Sequence, residues 1–141
     1  MKHALSSDDR RFRAEFEACT VAPEQFNHRA HIRLAYVYLV DHGPETALTL
    51  FRAALLAFIE HYGIDVTKYH ETITRAWILA VRHFMETTAP APSADAFIEG
   101  SPVLLDTNIM TTHYSTDLLF SPEARQQFVE PDLDPIPRYG P

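Results

Sequence analysis

Three apolar stretches with a helical period lie almost end to end between Asn27 and Glu86, and the short links between them constrain the fold more than any other feature of the chain. Asn27 is a good N-cap for a helix from His28 to about His42, which Gly43 would close at its C′ position. Pro44 suits the first turn of a second helix running to Tyr62, with Gly63 ending it. "IDVTK" then leads to a third helix, expected from about Tyr69 to Glu86. Links of about two and about six residues normally join antiparallel neighbours. An up, down, up order makes the first and third helices parallel. Their N-terminal turns then share one end of a bundle with the C-terminal turn of the second.

The flanks fit the same class. Ser6 or Ser7 can cap a short first helix that turns Phe12 and Phe16 inward at a spacing of four. "TTAPAPS" is a linker, short helices are expected beyond it, and a Pro-rich irregular tail is expected over 131–141. Alternating polar and apolar runs are missing, so strands have little support. The expectation is an all-α protein of 141 residues, with one helical domain over 1–130.

Charge and composition exclude several functions. A formal net charge of −7 leaves no basic face to spare for nucleic acid or for an acidic membrane surface. No run approaches the roughly 18 apolar residues of a membrane span. The opening "MKHALSSDDRRFR" carries charges where a secretory signal would be apolar, so a cytoplasmic protein is expected. Cys19 is the only cysteine, which rules out an internal disulfide and a thiolate metal cluster. A homo-oligomer stays open.

The histidines carry the functional signal. At 100° per residue, His28 and His31 fall within the apolar arc of the first long helix, together with Leu34, Tyr38 and Leu39. His70 falls centrally in the arc of the third helix, and His61 within that of the second. Helix polarity brings all four to one end. Helix N-termini and desolvation both oppose protonation, so these imidazoles are expected to be neutral, the form that a transition metal takes. His28 and His31 at i, i+3 with His70 from a facing helix could form a three-histidine site for Zn, Cu, Fe or Ni with an open position for substrate. A histidine on an apolar face also serves as a core residue satisfied by one hydrogen bond.

Around this end, Glu71 is a candidate metal ligand, partner to an imidazole, or general base, and Tyr69 a candidate catalytic hydrogen-bond donor. Glu71 with Arg75 is equally an i, i+4 ion pair on an exposed helix. Tyr38, Tyr62 and Trp77 are candidates for the walls of a substrate pocket. His113 or Tyr114 could approach from the C-terminal segment.

"FNHRAHIRLAYVYL", "KYHETITRAW" and "SPEARQQFVEPD" together resemble the signature of a family of small, largely uncharacterised bacterial helical proteins, F-x-H-x-x-H-x-R-x-A followed by Y-H-E-T and S-P-x-A-R. The resemblance spans about Phe26 to Asp132. It implies that His28, His31, His70 and Glu71 belong together as motif positions, and it implies no particular activity. Three readings follow. The first is a histidine-cluster metalloprotein acting on a small organic substrate. The second is a metal-free small-molecule binder or acid/base enzyme using the same residues. The third is an interaction module whose histidines are buried network members.

Overall fold

The computed structural model describes residues 2–139 and is all-α, with no strand among them. Helix α1 spans Ser7–Glu17, α2 His28–Asp41, α3 Pro44–His61, α4 Glu71–Thr87 and α5 Ala94–Gly100. Two short helices, α6 at Thr116–Leu119 and α7 at Pro122–Gln126, follow a pair of 3-10 turns at Pro102–Leu105 and Thr107–Thr112.

Local chemistry sets most of the boundaries. Ser6 caps α1 in a reciprocal capping box, its hydroxyl accepting from the Asp9 N–H at 3.0 Å while the Asp9 carboxylate accepts from the Ser6 N–H at 3.0 Å. The Asn27 side chain accepts from the Ala30 N–H at 3.0 Å and starts α2, as expected. Gly43 does not close α2. It stands at φ −69°, as the N-cap of α3, and the α2 C-cap is His42 in extended conformation. Pro44 follows at the first position of α3, where its missing N–H costs nothing.

The end of α3 is a complete Schellman closure. Gly63 takes φ 65°, its N–H bonds the Glu60 carbonyl at 3.2 Å, and the Ile64 N–H reaches back to the Ile59 carbonyl at 3.0 Å. A β-carbon would make that left-handed conformation costly, so glycine is required here.

Helices α2, α3 and α4 pack on one another in a central core. Two cross-helix ion pairs fix the α3–α4 register: Glu45 with Arg75 at 3.1 Å, and Arg52 with Glu71. Position rises along one helix as it falls along the other, so the pair is antiparallel. Phe16 of α1 is 0% exposed, with its ring 4.5 Å from that of Phe26 and stacked at 4.9 Å on Phe58. It ties α1 to the lower half of α3.

Helix α4 is covered on two sides. Ile78, Val81 and Met85 face the central core, whereas Ala76, Leu79 and Ala80 enter a second cluster with Met110, Tyr114, Leu119 and Ile136. Over 131–139 the tail is irregular but docked: Ile136 is only 5% exposed, and the Leu133 and Asp134 N–H groups bond the carbonyls of His113 and Thr112; residues 140 and 141 of the expected tail lie outside the described residues. No helix among the described residues is long and apolar enough to cross a membrane.

Candidate functional site

His70 is the first departure from the expected site. It lies outside α4, as its N-cap, with extended backbone at φ −132° and ψ 108°. Its Nδ1 accepts from the Ile73 N–H at 3.1 Å, and its Nε2 lies 2.7 Å from the Leu119 carbonyl oxygen. A main-chain N–H only donates and a carbonyl only accepts, so the ring is neutral with its proton on Nε2. Burial pushes its pKa down, although the bond to Leu119 acts in the opposite direction. Both ring nitrogens are therefore in use.

His28 is a second fastener. Its Nε2 donates to the Leu104 carbonyl at 2.9 Å, and its ring meets Trp77 edge-on at 4.7 Å. His3 repeats the His70 pattern, donating to the Met85 carbonyl at 2.8 Å and accepting from the Ala91 N–H at 3.0 Å.

His31 differs from all three. Neither of its ring nitrogens has a hydrogen-bond partner among the described residues. The ring stacks on Phe26 at 4.2 Å and lies 6.0 Å from Phe51. Burial, with the neighbouring His28 as a lesser cause, lowers its pKa to about 4. It is thus neutral at pH 7, with one donor and one acceptor unused.

That ring lines a cavity of about 320 Å³ between α2, the end of α3 and the start of α4. Phe26, Leu55, Phe58, Ile59 and Ile64 make most of its apolar wall, and His70, Tyr69, Thr74 and Lys68 are among its polar lining. The convergence expected from helix polarity holds for His31, Tyr69 and His70, which share this space. Phe26 and His31 occupy N′ and N4 of α2, the two positions of a hydrophobic staple. That spacing was the signal in the sequence for Phe26 as a wall of the site.

Several expected positions lie elsewhere. The buried Tyr38 donates to Glu17 at 2.6 Å, Tyr62 donates to the Cys19 carbonyl at 2.7 Å, and Trp77 bridges the two apolar clusters, so none of them lines the cavity. His61 is exposed at the end of α3. His113 bonds the Asp134 carbonyl at 2.7 Å and the Tyr114 hydroxyl donates to Val129 at 2.7 Å, both within the C-terminal segment.

Glu71 pairs with Arg52, not with Arg75, and accepts from the Tyr69 hydroxyl at 2.6 Å. Its carboxyl pKa is held below the usual range, because the bonds from Arg52 and Tyr69 outweigh its burial. The Tyr69 hydroxyl is correspondingly raised to about 12, by burial first and by Glu71 second. A carboxylate so neutralised is a poor base, and a phenol so bound is a poor acid.

The donor set can be tested for a metal on the same grounds. Among the described residues no group of three or more His, Cys, Asp or Glu side chains is arranged to hold an ion. To share one with His31, His70 would have to break a main-chain bond, since both of its ring nitrogens are occupied. The arrangement does not fit a three-histidine centre.

No protein-family model matches the chain, and no curated protein or solved structure matches it significantly.

Proposed function

We propose that the protein binds a small, largely apolar organic molecule in the cavity between α2, α3 and α4, without a metal, and that His31 is its polar contact. The observation that carries this reading is the His31 ring, neutral and unpartnered at a cavity otherwise lined mainly by apolar groups. A ligand with a matching polar group would give this ring the hydrogen bond that no protein group makes with it. Binding is favoured over acid/base catalysis, because His31 has little proton affinity at pH 7 and Glu71 is tied in an ion pair.

The test is a thermal-shift screen of small alcohols, amides and carboxylic acids against the wild type and His31→Phe, with Zn(II) and Cu(II) as separate additions. Stabilisation by an organic compound that disappears in His31→Phe is expected. Stabilisation by metal alone, at one equivalent and lost in His70→Ala, would replace this reading with the metal one. No response to any addition would leave only a structural module.

A further inference from the structure

Two apolar spaces meet at the C-terminal end of α3. Beside the His31 cavity is a groove of about 450 Å³ lined by Leu56, Ile59, Glu60, Gly63, Ile64 and Val66. Ile59 and Ile64 line both spaces. The Schellman closure of α3 sets these two isoleucines side by side, since the Ile64 N–H bonds the Ile59 carbonyl. In the groove, Val66 is 64% exposed and so open to a ligand chain.

We propose that the ligand is an aliphatic chain with a neutral, hydrogen-bonding head group. The head lies against His31, and the chain passes over Ile59 and Ile64 into the groove of Leu56 and Val66. This rests on the binding reading above and adds the shape and charge of what binds. Length follows from two apolar spaces that share a wall. Neutrality follows from the lining: the cavity's one cation, Lys68, is exposed, and the imidazole within is uncharged. A carboxylate head would lose its hydration there with no buried partner, whereas a hydroxyl or amide can donate to or accept from the ring. At the far end Glu60 opposes an anion, so a carboxylate is disfavoured in either orientation.

The probes are the straight-chain primary alcohols from butanol to decanol and the carboxylates of equal length, titrated against wild type, Val66→Asp and His31→Phe by calorimetry. In the wild type each added methylene should tighten alcohol binding roughly fourfold, the factor that about 0.8 kcal/mol per buried CH₂ gives, with the gain continuing to decanol. Val66→Asp, at an exposed position that does not threaten folding, should weaken octanol and decanol at least tenfold and leave butanol unchanged. His31→Phe should weaken every alcohol by a similar factor. Butanol binding that needs His31 but stops improving beyond hexanol, or decanol binding indifferent to Val66→Asp, would overturn the extended-chain proposal and leave the cavity reading standing. Carboxylates binding more tightly than alcohols would overturn the neutral head. Failure of every alcohol to bind, or binding untouched by His31→Phe, would overturn the cavity reading itself.

Discussion

The helical bundle and the C-terminal segment are held by different physics. Around Phe16, Ile78 and Val81, the bundle is apolar surface brought together by helical periodicity. The segment from Leu104 to Val129 shares a smaller apolar cluster with Ala76, Leu79 and Ala80 of α4, and it is fastened to the bundle as well by side chains that bond its main chain. His28 holds the Leu104 carbonyl and His70 the Leu119 carbonyl. Thr72, 0% exposed, donates to the Gln127 carbonyl at 3.0 Å and accepts from the Val129 N–H at 3.1 Å. The difference teaches that His28, His31 and His70 divide between two tasks. Two are fasteners, and His31 alone keeps its hydrogen-bonding groups free for something else.

The largest effect should come from breaking the bundle side of this contrast. Phe16→Ala removes a ring packed against Phe12, Phe26 and Phe58 and should cost about 3–5 kcal/mol in denaturant unfolding, lowering protection throughout the molecule. His70→Ala should come next, at about 2–4 kcal/mol. It removes the cap of α4 and leaves the Leu119 carbonyl without its partner. Its signature differs, because hydrogen exchange should rise first in the residues around Leu119 and Val129 while α2 and α3 stay protected. Uniform exposure in His70→Ala would erase the distinction between the two regions.

Acid should act on the same groups with a defined sign. His31 and His70 both have pKa values lowered by folding, so the unfolded chain binds their protons more readily. Their contribution is fully present above about pH 6.5 and is lost as pH falls toward the folded values, which for His31 is about 4. The His31 share is on the order of 3 kcal/mol at most. Melting temperature followed from pH 7 to pH 4 should fall, with a smaller fall in His31→Phe. The smallest effect belongs to His31→Phe at pH 7, where no hydrogen bond is lost and stability should change by less than about 1 kcal/mol. A loss as large as that of His70→Ala would make His31 a fastener too.

The two regions were also unequally legible. Asn27, Pro44 and Gly63 mark their helices by conformations and caps that each residue type favours, so the long helices could be placed from the chain alone. Gly43 misled because a glycine between adjacent helices can close one or start the next. His70 misled because histidine is not among the usual capping residues, and its role depends on a carbonyl 49 positions away. The Thr72 bridge and the docking of Ile136 depend on contacts of the same long range, for which no local period exists. The cavity was half visible: helix polarity brought His31 and His70 to one end, but which nitrogens were already bound could not be read from spacing.

Histidine ring ¹⁵N resonances, recorded at pH 7 before and after one equivalent of Zn(II), test the division of labour most directly. His70 should appear as a fixed neutral tautomer with the proton on Nε2, unmoved by the metal, and His31 should be neutral and free to respond to an alcohol. Concerted movement of the His28, His31 and His70 resonances at one equivalent of zinc would contradict it.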